Sequence, residues 1–440
     1  MTLGIETMNK IVKMKILILG LRGLGIETAK NIILLGPKEV QIYDPEIVKI
    51  NDLGSNFYLN EEDVGKKRRD EASISQLSEL NSYVHVSMMK GDIFENIRKF
   101  NVVVITEMMN REKLEQIDEI CRENNIAFIY ACSLGLSGFI FTDFGKEHTI
   151  FDDDGEECKP YFIKSIKKIS KDGFVYFESF DCHEETKLNL GDNDFVKFSE
   201  VEVIPELNDG KPRQIKKISP YSFQIIGEDF SQYPEYISGG IVERIKIPKI
   251  IYNRSLKERF NNFYDEKPIE PIDSSKSGRN ELLFIIFLAL HEYFSRNNSL
   301  PELNNKSQVE EIVKKTKELY DELRKKGNLI WLKNIQKWEQ KIPEMVASWA
   351  KAQISPICSF LGGIVSQEII KYTGLYIPIN QWLIFDFFET VENLGKNVDR
   401  QLKNSRYDDQ IAIFGNEIQK KIEETNIFLI GAGALGCEYL

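Results

Sequence analysis

The stretch Lys15-Ile16-Leu17-Ile18-Leu19-Gly20-Leu21-Arg22-Gly23-Leu24-Gly25 decides the fold. Lys15 to Leu19 is a β-type run, Gly20 opens a glycine-rich turn, and Leu24 to Leu35 reads as an apolar helix. Strand, glycine turn and helix in that order open a doubly wound α/β domain. Working outward, Val40 to Tyr43 reads as a second strand ending on Asp44. Val102 to Thr106 and Ala127 to Tyr130 are two more, separated by a helical pattern around Leu114 to Cys121. Alternating β and α elements predict a parallel, Rossmann-like sheet.

The texture changes near Ser170. Phe174–Phe177, Phe195–Ile204, Gln214–Ile218, Tyr221–Ile225 and Ile241–Ile247 are strand-like, with turn signals at Gly191-Asp192-Asn193 and Asn208-Asp209-Gly210. This predicts a small antiparallel barrel or sandwich. After Ser255 the pattern is helical. Leu282 to Leu290 is apolar on every face, and Val309, Ile312, Val313, Leu319, Tyr320 and Leu323 follow amphipathic spacing. Ser355-Pro356 reads as an N-cap and first-turn proline, and Trp382 to Phe388 as a returning strand. The α/β domain is therefore interrupted by a β-barrel insertion and a helical-bundle insertion. The expected boundaries are 1–168, 169–252, 253–345, 346–402 and 403–440.

The last segment repeats the first. Leu3-Gly4-Ile5-Glu6 matches Phe414-Gly415-Asn416-Glu417, and the strand and turn of Lys15 to Gly20 match Asn426 to Gly431. Residues 4, 20 and 25 recur as 415, 431 and 436, a constant spacing of 411. Two copies of one α/β unit explain three agreeing landmarks. The second copy carries Gly431-Ala432-Gly433-Ala434-Leu435-Gly436, a full G-x-G-x-x-G. The first glycine makes the turn, the second lets a phosphate approach the backbone, and the third lets helix and strand close up. In the first copy Arg22 stands at the close-approach position, so Gly20 and Gly25 are read as backbone geometry only. Asp44 is read as a turn residue rather than a ribose ligand.

A net charge of −11 argues against a general nucleic-acid binder. The six cysteines are scattered and none forms C-x-x-C, which fits a reducing, intracellular setting. No signal peptide opens the chain, and no apolar run is long enough to span a bilayer.

Six stretches carry a resemblance to the eukaryotic ubiquitin-activating enzymes. They are the Gly20–Gly25 loop, Asp52-Leu53-Gly54-Ser55-Asn56-Phe57-Tyr58-Leu59, Phe198-Ser199-Glu200-Val201, Pro220-Tyr221-Ser222-Phe223, Gly239-Gly240-Ile241-Val242 and Gln381-Trp382-Leu383-Ile384-Phe385-Asp386. Ser405-Arg406-Tyr407-Asp408-Asp409-Gln410-Ile411-Ala412-Ile413-Phe414-Gly415 also resembles the opening of that family's active adenylation domain. The resemblance implies an inactive adenylation domain in two parts (1–168 and 346–402). It implies a first catalytic-cysteine half-domain without the cysteine (169–252), a four-helix bundle (253–345) and the start of an active adenylation domain (403–440). It further implies an ATP- and magnesium-dependent enzyme that adenylates the C-terminus of ubiquitin or a ubiquitin-like protein. Thioester formation and transfer to a conjugating enzyme follow, in cytoplasm and nucleus, with no nucleic acid or membrane as partner. Gly431, Ala432, Gly433, Ala434 and Gly436 are the expected ATP-binding residues of this chain, which is expected to be the N-terminal portion of a longer protein and inactive alone.

The first copy departs from the working motif. Gly54, Ser55 and Asn56 stand where the active pattern has Asn, Arg and Gln. Asn60 stands for an Arg, Arg68 for a Lys, and the position of the magnesium-binding Asp falls near Met109. Alternatives are an activating enzyme for another ubiquitin-like modifier, a non-catalytic scaffold, and an NAD-type oxidoreductase. Several further residues are read structurally. Cys437 is expected to be small and buried, Cys182-His183 to face apart, and His291 to be a core histidine. Lys66-Lys67-Arg68-Arg69 is expected as a solvated helix face, Gly362-Gly363 as packing against the paired copy, and Asp152-Asp153-Asp154-Gly155 as a turn.

Overall fold

The computed structural model describes residues 3–169, 174–179, 188–228, 233–264, 276–327, 329–392, 394 and 398–439. They form two compact units. The first comprises Met1–His148, Tyr252–Thr373 and Pro378–Leu440, and the second Thr149–Ile251 with Gly374–Ile377. Cys182-His183 lies outside the described residues.

The first unit begins with α1 (Gly4–Ile11), β1 (Lys15–Leu19), α2 (Gly23–Leu35) and β2 (Glu39–Tyr43). It continues through α3 (Arg69–Glu79), β3 (His85–Met88), α4 (Ile93–Asn96), β4 (Val102–Ile105), α5 (Arg111–Glu123), β5 (Ala127–Leu134) and β6 (Ser137–Asp143). Ile16, Leu17, Ile18 and Leu19 are all buried, as are all four residues of β4. Consecutive burial on both faces is the mark of a central parallel strand covered by helices.

The second unit holds β7 (His148–Ile150), β8 (Pro160–Ile169), β9 (Phe174–Ser179), β10 (Phe195–Val201), β11 (Arg213–Ser219), β12 (Ser222–Ile225), β13 (Gly239–Ile245) and β14 (Lys249–Ile251). Six of these close into a barrel in the order β10-β11-β12-β9-β8-β13, each neighbour antiparallel. Its core is Val196, Phe198, Val201, Ile215, Phe223, Ile225 and Val242, with Tyr161, Ile163 and Ile166 from β8.

The chain then builds α6 (Leu256–Asn261), α7 (Arg279–Asn297), α8 (Lys306–Lys326), α9 (Lys341–Trp349) and α10 (Ser355–Lys371). β15 (Trp382–Asp386) follows, then α11 (Asp408–Phe414), α12 (Asn416–Glu423) and α13 (Ala434–Glu438). β15 pairs antiparallel with β6, completing a seven-stranded sheet of order β15-β6-β5-β4-β1-β2-β3. β1 to β5 are parallel where they pair, and β6 and β15 make an antiparallel edge. The fold class is α/β with a mixed, mainly parallel sheet.

Four expectations change. The boundary expected at 169 falls on the last residue of β8, and the compact unit begins at Thr149. Lysines at 164, 167 and 168 obscure the strand in sequence, yet Tyr161, Ile163 and Ile166 face the barrel interior. α9 runs past 345 to Trp349. Ser355 is the first helical residue of α10, the N-cap is Ile354, and no side chain caps that helix. Finally, the expected strand from Asn426 to Ile430 pairs with nothing described, and Ile427, Phe428 and Ile430 are exposed. A parallel strand takes its shape from neighbouring strands, and this segment meets none among the described residues.

Candidate functional site

The first glycine loop joins β1 to α2 below the end of β4. Gly20 takes a left-handed conformation at φ +94°, which a side-chain-bearing residue rarely adopts. A Cβ on Gly25 would lie 2.0 Å from the Gly20 carbonyl oxygen and 2.8 Å from Thr106 Oγ1. Between them, Arg22 is the N-cap of α2 at φ −69°, ψ −167°. Its guanidinium is buried and fully engaged. Nε donates to Asp52 Oδ1 at 3.1 Å, Nη1 to the Lys351 carbonyl at 3.1 Å and Nη2 to Asp409 Oδ2 at 3.3 Å. Asp409, on α11, also accepts from the Gln353 amide at 2.8 Å and from Asn51 at 3.2 Å.

Arg69 forms the second half of the network. It reaches Asp52 Oδ2 at 2.8 Å, Asp44 Oδ2 at 3.2 Å and Glu107 at 3.7 Å. Asp44 in turn accepts from the Leu21 amide at 2.8 Å and the Glu46 amide at 3.0 Å, so it holds the loop as a turn residue. Two guanidinium groups thus face Asp44, Asp52, Glu107 and Asp409. Burial would lower the Arg22 pKa, but Asp52 and then Asp409 outweigh it and raise it. Burial would raise Asp52, but Arg22 and Arg69 outweigh it and hold Asp52 below the usual carboxylate range. Burial, and then the charge of Asp44, push Glu107 up to about 7. Arg22, Arg69, Asp52, Glu107 and Asp409 line a cavity of about 620 Å³ together with Lys49, Thr106 and Ser133. In this cavity both arginines are engaged by carboxylates rather than presented to the open space.

The second loop has the same backbone without the obstruction. Gly431 sits at φ +93°, and a Cβ on Gly436 would lie 2.2 Å from the Gly431 carbonyl oxygen. Gly433, the counterpart of Arg22, has φ −73°, ψ −165°. Those angles suit any residue, so glycine there removes bulk rather than strain. A Cβ at Gly433 would meet nothing within 4 Å. With Ala432 and Ala434 beside it, the turn presents the N–H groups opening α13 to an open space. That fits a phosphate and supplies no metal ligand. α13 is tied to α2 by an ion pair between Glu438 and Lys30. Cys437 is exposed rather than buried, its Sγ 3.4 Å from the Ala432 carbonyl, because no described element covers that side of α13.

The other singled-out residues divide clearly. Ser55 is buried beneath Gly23, Asn60 is the N-cap of a short 3-10 turn, its amide donating to Asp63, and Met109 packs against the main core. Arg68 pairs with Asp70. Arg69 is not on a solvated face as expected but is buried on Asp44 and Asp52. Four like charges in sequence gave no sign of acids contributed by three distant segments. A Cβ on Gly362 would lie 2.7 Å from Glu27 Cβ, so this glycine lets α10 approach α2 of its own copy, while Gly363 faces open space. His291 is a core histidine, 3.1 Å from the Tyr130 hydroxyl, with burial pushing it down to about 3. Asp152, Asp153 and Asp154 bring their carboxylates together, but Lys246, Lys249 and Arg244 pair with them, so the turn reading holds. Among the described residues no helix is long and apolar enough to cross a membrane.

The ThiF family model matches residues 1–403. Over 99% of its length the chain is 39% identical to "Ubiquitin-activating enzyme E1 2" of Arabidopsis thaliana, of which it covers 39%. It is 36% identical over its whole length to "Ubiquitin-like modifier-activating enzyme 1" of Homo sapiens, of which it covers 40%. The chain thus spans about two-fifths of the length of these relatives. A crystal structure of E. coli MccB with succinimide aligns with 32% of the chain at 20% identity and a TM-score of 0.29. The chain belongs to the ThiF family, and within it is similar to the eukaryotic ubiquitin-activating enzymes.

Proposed function

We propose that this chain is the N-terminal region of an ATP-dependent ubiquitin-activating enzyme, and that its first α/β copy is a non-catalytic scaffold for the second. Arg22 carries the reading. Two loops share one backbone, and the first fills with a paired guanidinium the space that the second leaves open beside Gly433. In this reading Gly431, Ala432, Gly433, Ala434 and Gly436 would hold the phosphates of magnesium–ATP, whose α-phosphate would be attacked by the modifier's C-terminal carboxylate, the α–β phosphoanhydride bond breaking to release pyrophosphate. Thioester formation and delivery to a conjugating enzyme belong to the whole protein, in cytoplasm and nucleus. ATP–pyrophosphate exchange with ubiquitin tests the scaffold role. The 440-residue chain should not exceed a no-protein control, and exchange well above that control would overturn the claim.

The modifier is proposed to rest partly on the barrel. Phe162, Ile163, Val201 and Ile241 line a shallow hollow of about 470 Å³ between Glu200 and Glu202. Phe162 is 64% exposed, and Glu200 adopts φ +58° within β10. An apolar spot flanked by acids suits a partner with an apolar patch and basic rim. Of the acids nearby, Asp192 accepts from the Lys217 amide of β11 and Asp194 pairs with Arg244, while Glu200, Glu202 and Glu206 are exposed. Glu200→Lys with Glu202→Lys should weaken ubiquitin binding roughly tenfold at low salt and less at high salt. An NMR titration of ubiquitin with the full chain reads this, and unchanged affinity at low salt would remove the barrel from the account.

A further inference from the structure

We propose that Asp118 and Asp143 share a single proton, and that this proton clasps segment 253–256 to α5, so that the start of α6 loosens as pH rises. Asp118 lies inside α5 and Asp143 ends β6, both almost wholly buried. The Leu256 amide donates to Asp118 Oδ2 at 2.7 Å. The Gly145 amide donates to Asp143 Oδ1 at 2.8 Å, and Arg122 Nη1 pairs with the other oxygen of Asp143. Arg122 Nη2 donates to the Asn253 carbonyl at 3.1 Å, and Asn253 Oδ1 accepts from the Phe144 amide at 3.3 Å. One residue is thus held from Asp118 and another from Arg122, on either side of the turn into α6.

Charge and hydrogen bonding require the proton independently. Two carboxyl groups and one guanidinium are buried together, and only a single proton makes the set neutral. Asp118 Oδ1 is buried with no donor among the described residues, and it faces the Asp143 carboxylate. An oxygen in that position is satisfied if it carries the proton and donates it to Asp143. The electrostatics agree in direction. Burial and then the charge of Asp143 raise Asp118 well above the usual range, whereas burial raises Asp143 against the opposing pull of Arg122 and of the bond from Asp118. Cys121, also on α5, faces the pair, and burial and then Asp118 push its thiol upward. A carboxyl raised in the folded state stabilises below its folded pKa and ceases to do so as pH rises through it. The clasp therefore holds in acid and opens toward alkaline pH.

Hydrogen exchange at the Leu256 amide of the full chain, corrected for the intrinsic rate, reads the clasp. Between the ordinary carboxyl range and the raised folded pKa of Asp118 the opening constant of the wild type should rise about tenfold per pH unit, levelling off above that pKa. In Asp118→Asn, whose amide donates to Asp143 permanently, it should stay flat. The same pH dependence in both proteins would overturn the proposal. Infrared spectra of the wild-type chain, labelled with 13C at aspartate carboxyls, test it without any variant. A protonated aspartic acid band should be present at neutral pH and fade as pH rises, and only ionised aspartate at neutral pH would overturn it.

Discussion

Arg22→Ala is expected to destabilise the first unit by about 3–5 kcal/mol, the usual cost of stripping a buried ion pair of one partner. The side chain ties four segments together: the turn before α2, the 3-10 turn holding Asp52, the stretch before α10 and α11. Its removal leaves Asp52 and Asp409 buried with their acceptors facing each other across a void. Adding Asp409→Asn should recover part of the loss, because one of the uncompensated charges disappears. All four tryptophans, at 331, 338, 349 and 382, lie in this unit, so tryptophan fluorescence in a denaturant titration reports it alone. Acid should shrink the effect. Asp52 is held low by the arginines, so its contribution is present at neutral pH and lost as pH falls through its lowered pKa. A loss below about 1 kcal/mol at neutral pH, the range of surface substitutions, would show that the network does not hold these segments.

The two glycine loops make a sharper comparison. Gly25→Ala should prevent folding or cost more than about 4–5 kcal/mol, an exceptional value for a single methyl group. The new Cβ meets a backbone oxygen at 2.0 Å, and neither β1 nor α2 can withdraw, since both are packed in the main core. Gly436→Ala creates the same clash at 2.2 Å. There, however, Leu435 is 69% exposed and no residue of α13 is buried, so the helix can shift. Its effect on the stability of this chain should stay within about 0.5 kcal/mol. Thermal unfolding of both variants decides the matter, and equal losses would mean that α13 is packed into the core.

Much of this was legible in the sequence because short-range rules apply to it. The run Lys15–Gly25 determines a strand, a turn and a helix by periodicity and glycine placement alone, and the constant spacing between the loops carries that reading to residue 436. Arg22 was recognisable as an obstruction for the same reason. Its partners were not. Asp409 is 387 residues away in sequence, Arg69 sat in a basic run that resembles a solvated face, and only the fold brings them together. β6 was missed because Ser137 and Gly138 dilute its pattern, although all seven residues are buried. β8 was hidden by Lys164 and Lys167, which are exposed. The strand expected at Asn426 to Ile430 failed for the converse reason: its residues have the right propensity, but a parallel strand exists only beside others.

The central claim is that one loop is closed to nucleotide by Arg22 while its twin is open. A crystal structure of the 440-residue chain grown with ATP and magnesium tests this most directly. The account predicts no phosphate density beside Gly20 and Gly23, with the Arg22 guanidinium still bonded to Asp52 and Asp409. Triphosphate density against Gly20 and Gly23, with Arg22 swung away from Asp409, would contradict it.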